Sequence, residues 1–427
     1  MKIVILLLQI SIVILLTPIG VFGLTTNEKY YQDTIYNRVF EKDIRTVLIR
    51  SATWELASPV IEAGSDQKLE LRFDDLSTDK RSFGYTLVHC DAAWRPSDLS
   101  PGEYLTGFGQ GVIRESTSSF NTTLDFTHFH LIFPEEECMP VLSGNYALVV
   151  YEEADPDKIL FTRRFYVTEK TIQVTGRIKK PPPGEYTETG QQLDLTVNYD
   201  DKQIRDPLND IAVVIVQNNR DDVAALPGKP SFFKPGQLEY ADHPFALFSG
   251  GNEFRSMDIK SMKYQSENIA AIDFRNPYYH VILKTDEDRE SKPYFSKTDF
   301  NGGYYIDREK ADDRNTEADY IFVHFSFAPP AFYSGENVYV AGAFSDWTAQ
   351  DRNKMKFNPA NGCFEAVLLL KQGMYDYCYA LEDRTGALDP GIFEGNHYET
   401  ANEYAVMVYY HDRHSRYDRL LSYYPMK

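Results

Sequence analysis

His89-Cys90-Asp91 sets a base, a thiol and a carboxylate side by side, the residue types of an activated cysteine nucleophile. Neighbours along a regular strand point to opposite faces, however. His89 and Cys90 are therefore kept apart if Tyr85-Thr86-Leu87-Val88-His89 is a strand. The simpler expectation is a strand end entering the turn Ala92-Ala93-Trp94-Arg95-Pro96, with Cys90 buried and Trp94 packed at the edge of a sandwich. His128 and His130 share one strand face by their period-two spacing, as a metal pair would, but no further ligand follows at a recognisable interval. Asp74-Asp75 and the run Asp286 to Glu290 offer oxygen ligands for a hard cation. Neither has the calcium-loop spacing with its glycine hinge, and both are expected as solvated turns. The chain has no phosphate-cradling glycine loop, no Gly-x-Ser-x-Gly elbow and no His-Glu-x-x-His helix. A glycosidase acid pair is set by the fold and leaves no spacing to find. The expectation is a protein with no catalytic residue, no metal ligand and no cofactor.

The elements that would carry these residues are short runs of alternating polarity separated by Gly, Pro, Asn and Asp. Lys68-Leu69-Glu70-Leu71-Arg72-Phe73, Asn145 to Tyr151, Phe161 to Val167 and Gln192 to Val197 are all of strand length, and helical periodicity over ten residues is hard to find. Thirty Tyr and 27 Phe suit pleated, half-buried surfaces. An all-β protein of tandem β-sandwiches follows. At 427 residues it exceeds a single core and matches a prior of about three domains. The expected boundaries are a signal peptide at 1–23, an N-terminal sandwich at 24–170, a middle β-rich domain at 171–317 and a C-terminal immunoglobulin-like domain at 318–427. Lys179-Lys180-Pro181-Pro182-Pro183-Gly184 serves either as a connector or as a turn just inside the second unit.

Lys2 followed by the apolar run Ile3 to Leu16 and by Val21-Phe22-Gly23 predicts a cleaved secretory signal. The alternative, an uncleaved anchor, has an apolar run shorter than the ~20 residues that span a bilayer. No other run reaches that length, so the mature chain is expected without a transmembrane segment. Export permits disulfides among Cys90, Cys138, Cys363 and Cys378. Cys363 and Cys378 flank two strand-like runs joined at Lys371-Gln372-Gly373. A hairpin there would bring them together, and two unpaired buried thiols is the equal alternative. Taking the one lysine of the signal from 44 basic residues leaves 43 against 63 acidic ones, a surface that repels nucleic acid and anionic lipid.

Val338-Tyr339-Val340-Ala341-Gly342-Ala343-Phe344-Ser345-Asp346-Trp347 resembles the strand and turn of early-set immunoglobulin-like modules of starch- and glycogen-handling proteins. Trp347 is thereby the candidate sugar or partner contact, against the reading that it caps a core. A broader resemblance runs through Trp54-Glu55-Leu56-Ala57-Ser58-Pro59-Val60, Leu71-Arg72-Phe73-Asp74-Asp75-Leu76, Tyr85 to Trp94, Tyr104-Leu105-Thr106-Gly107-Phe108, Leu142-Ser143-Gly144-Asn145-Tyr146 and Arg416-Tyr417-Asp418-Arg419-Leu420. In that order these segments resemble the plug protein of the type IX secretion system over nearly the whole mature chain. The chain departs from the pattern at Ala93, which stands before Trp94 where Asp is usual, and members differ around the Phe344 to Trp347 turn. The resemblance implies a non-enzymatic periplasmic protein that associates with the outer-membrane translocon barrel and closes its inner mouth, with no contact residues assigned. The alternatives are a carbohydrate-binding β-sandwich protein of the cell envelope and a periplasmic hydrolase.

Overall fold

The computed structural model describes residues 34–427 except 332, 334, 336 and 412–415. The predicted signal peptide and the alternative anchor therefore lie outside the described residues. Among those described, no helix is long and apolar enough to cross a membrane. The described residues form an all-β fold of six sheets packed as three sandwiches.

The first sandwich pairs a sheet ordered Arg38–Val39, Asp155–Thr168, Gly144–Glu152, Phe83–Cys90, Gln110–Ile113 with a sheet ordered Ile44–Ser51, Leu69–Asp75, Thr127–Phe133, Glu115–Ser118. Alternation chooses its core: Leu69, Leu71 and Phe73 turn inward, where Phe73 meets Phe83, Phe129 and Phe161 at 5.3, 5.1 and 5.0 Å between ring centroids. In Gly144–Glu152 the alternation disappears and eight of nine residues are buried. Both faces of that strand are covered. Tyr146, Leu148 and Val150 fill the sandwich core, while Ala147 and Val149 join an apolar cluster shared with the second sandwich.

The second sandwich joins Gln173–Lys179, Gly190–Asn198, Gln237–Tyr240, Phe232–Lys234 and Leu247–Ser249 to a sheet ordered Arg220–Ala225, Ile211–Gln217, Tyr404–His411, Asp418–Met426. This corrects the expected division of the C-terminal part. Residues 404–426, expected in a continuous unit at 318–427, pair with Ile211–Gln217, Val213 lying opposite Val408. The chain thus leaves the second sandwich after Ser249, builds the third, and returns at Tyr404. Lys180 to Gly184 is a turn within the second sandwich, closed by Thr187 Oγ1 accepting from Gly184 N at 2.7 Å.

The third sandwich takes strands from both sides of residue 317, the other expected boundary. One sheet centres on Gly373–Glu382, flanked by Arg255–Asp258, Tyr304–Ile306 and Val338–Ala341. The other is ordered Ile269–Arg275, Tyr278–Leu283, Tyr320–Ala328, Cys363–Lys371, Lys356–Asn358. The acidic run from Asp286, expected as a solvated turn, enters this sandwich, with Asp286–Glu287 pairing parallel to Phe327 and Ala328. Cys363–Lys371 and Gly373–Glu382 lie in opposite sheets, so the expected hairpin is a crossover and its cysteines are not brought together. All four cysteines are buried free thiols.

Candidate functional site

His89 and Cys90 end the strand Phe83–Cys90 on opposite faces, as strand geometry requires. The imidazole is buried, its Nδ1 3.0 Å from Ser97 Oγ and its Nε2 3.1 Å from the Ser143 carbonyl oxygen. Burial holds its pKa below the ordinary value and pushes the Cys90 thiol up to about 12. A protonated thiol turned away from its base is no nucleophile. Asp91 holds the following turn, accepting from Ala93 N and Arg95 N, both at 2.9 Å. Trp94 packs where the first and second sandwiches meet, with Arg164 4.3 Å above its ring.

Each histidine of the candidate metal pair is held by a carboxylate. His130 reaches Glu70 at 2.7 Å and Glu115 at 2.9 Å. His128 Nδ1 lies 2.7 Å from Asp74 Oδ1. Among the described residues no three His, Cys, Asp or Glu side chains are grouped to hold a metal ion.

Asp74 and Asp75 are not the solvated turn their charges suggested; both are buried. Asp75 pairs with Arg81. Asp74 crosses from the first sandwich to the third. Its Oδ2 accepts from Lys371 Nζ at 2.6 Å and from Tyr320 OH at 2.7 Å, and Lys371 lies 4.2 Å from the Phe126 ring centre. Burial alone would raise the Asp74 pKa, but Lys371 and then His128 outweigh it and hold the carboxyl below its ordinary value. Burial likewise holds Lys371 down against the pull of Asp74. The same junction is closed by Thr123 N donating to Asp319 at 2.8 Å, Arg72 to Asn315 at 3.0 Å and Arg314 to Glu55 at 2.5 Å.

A second ionic group binds the third sandwich internally. Glu394, wholly enclosed, receives Arg255 at 2.9 Å and Arg289 at 2.7 Å, and Asp286 receives Arg255 at 2.8 Å with Tyr377 and Tyr379 at 2.8 and 2.9 Å. The acidic run at Asp286 is thus an anchor of the core. Gln191 of the second sandwich donates to the Tyr398 and Thr400 carbonyls at 2.8 and 2.7 Å, fastening the chain as it returns from the third.

Trp347 is half-buried against Phe254, Ala341 and Leu388. Arg220 of the second sandwich lies 4.3 Å over its ring and donates to the Leu388 carbonyl at 3.2 Å. The indole is a contact between two sandwiches, and the face a sugar would stack on meets a guanidinium.

Exposed aromatics are what composition alone could not place. Phe108 is 91% exposed between two positive-φ glycines, of which Gly107 is seated too close to Glu137 for a Cβ. Trp54 and Phe120 are 63% and 70% exposed on the same sandwich, and Phe232, Phe233 and Phe245 stand out on the second.

Residues 44–169 match the family model of the type 9 secretion system plug protein 1st domain. Among solved structures the chain is similar to a hypothetical protein from Parabacteroides merdae at 32% identity, with a TM-score of 0.88 over 92% of this chain and 100% of that one.

Proposed function

This chain belongs to the type 9 secretion system plug protein family, and from that premise we propose that it is a non-enzymatic periplasmic subunit that binds the outer-membrane translocon barrel of that system and closes its periplasmic opening. A stopper must resist deformation under load. The observation that carries the reading is that the three sandwiches are fused through buried junctions, an apolar one around Val149, Met407 and Tyr409 and an ionic one around Asp74 and Lys371. The chain crosses between the second and third sandwiches twice, which restrains their relative motion further. The candidate catalytic groups are each engaged structurally, which supports binding over chemistry. The protruding aromatics Trp54, Phe108 and Phe120 are of the type that anchors protein interfaces. A sugar-binding role through Trp347 would first require Arg220 to leave the ring.

The test is affinity isolation of the tagged mature protein from gently solubilised outer membranes of its host, with mass spectrometry of what accompanies it. A very large barrel protein in stoichiometric yield is the expected result. A monomer without a barrel overturns the proposal.

A further inference from the structure

Beneath Asp74 and Lys371, a cavity of about 80 Å³ lies between the first and third sandwiches. Three arginines line it: Arg45 and Arg163 from the first sandwich, Arg352 from the loop after Trp347. Their charges are poorly matched. Arg163 donates from Nε and Nη2 to the Val47 carbonyl, both at 3.3 Å, and from Nη1 to the Thr162 carbonyl at 2.9 Å, and its Nη2 lies 3.2 Å from Asp346 Oδ1, so that it brings charge to the cavity but few free donors. Among the described residues Arg45 donates to its neighbour's carbonyl, Ile44 O, at 3.4 Å, and the carboxylate that acts on Arg352 is again Asp346. One carboxylate thus faces three guanidiniums, in a chain whose overall charge is strongly negative. Lys371 also lines the cavity but is paired with Asp74. The hydroxyl-bearing ring of Tyr304 completes the wall. Burial, and beyond it the nearness of Arg45 and Arg163, hold Arg352 below its ordinary pKa, with Asp346 opposing. That is the response of a half-buried cation short of counter-charge. A single water needs only about 10–15 Å³ of such space, so the cavity has room for a small polyatomic anion.

We infer that this cavity is a site for a small tetrahedral oxyanion of the phosphate or sulfate class, held by Arg45 and Arg352 with the positive charge of Arg163 beside them, and clamping the first sandwich to the third. Guanidinium groups match oxyanion geometry with paired donors, and desolvated charge-assisted bonds of this kind are strong. Asp346 is the opposing element: its Oδ2 is buried without a partner and weakens the site by repulsion.

The site is tested on the full mature chain, dialysed into a chloride buffer, by calorimetric titration and thermal unfolding with sodium phosphate, sodium sulfate and sodium chloride at matched ionic strength. Saturable binding of phosphate or sulfate, with a rise in the unfolding midpoint that chloride does not give, is expected. R352Q should weaken that binding at least about ten-fold, as loss of one charged hydrogen-bond donor implies, while D346N should tighten it. Should R352Q not fold, R45Q replaces it, and the anion selectivity of the unaltered chain stands as a separate measurement. Equal behaviour in all three salts, or unchanged binding by the foldable arginine variant, overturns the inference. Neither result depends on whether the protein meets a barrel.

Discussion

The two junctions of the first sandwich are built from opposite materials. Toward the second sandwich the contact is largely apolar: Val88, Ala147 and Val149 meet Val214, Val216, Met407 and Tyr409, with one buried ion pair, Arg164 to Asp221 at 2.8 Å. Toward the third sandwich the contact is polar and charged, centred on Asp74, His128, Tyr320 and Lys371. Apolar burial supplies attraction without direction, at about 25 cal/mol per Å² removed from water. An enclosed ion pair supplies little net attraction once desolvation is subtracted, but it penalises every arrangement that leaves a charge alone. The apolar junction therefore holds the sandwiches together, and the ionic one sets their relative orientation.

That contrast can be broken directly. K371A, which leaves Asp74 buried without its cation, is expected to destabilise the chain by about 3–5 kcal/mol in denaturant unfolding, whereas the paired change D74L/K371M should recover most of that loss. If the single and the double variant are equally damaging, the junction is held by shape and not by charge. At the apolar junction M407A should cost about 2–4 kcal/mol with no dependence on pH, as expected of a cavity.

Asp376 sharpens the comparison through titration. It sits inside the third sandwich with Oδ1 unpartnered, and burial pushes its pKa up to about 7. A carboxyl whose folded pKa is raised stabilises the fold at low pH and loses that contribution as pH climbs from its unfolded value of 3.8 through about 7. Asp74, held below its ordinary value, acts in the opposite sense, its contribution being present above the unfolded pKa and lost on acidification. D376N should therefore be more stable than the parent chain at pH 8, by ~2 kcal/mol, and the gain should vanish near pH 4. A pH-independent difference would contradict the assignment. The smallest stability effect is expected of F108S, within about 0.5 kcal/mol of the parent. Its consequence should appear instead as weaker recovery of the barrel.

Much of the architecture was legible because strand alternation is local. Leu69, Leu71 and Phe73 announce both their strand and their core face, and the predicted runs at 145–151, 161–167 and 192–197 fall inside observed strands. What was not legible is pairing over distance. Nothing local in Tyr404–His411 says that its neighbour is Ile211–Gln217, so the insertion of the third sandwich into the second was missed. Asp74-Asp75 reads as a turn because carboxylates are seldom enclosed, and the lysine that makes enclosure tolerable is 297 residues away. The opposite faces of His89 and Cys90 were readable from strand geometry alone. The environment of Trp347 was not, because Arg220 comes from another sandwich.

The most direct test of the plug reading is electrical. The purified translocon barrel, stripped of accessory proteins, is reconstituted in a planar bilayer, and the mature chain is added to the periplasmic side only. Closure of the conductance at stoichiometric protein, absent when it is added to the opposite side, is the predicted result. An open channel whose current is unchanged at saturating protein would contradict it.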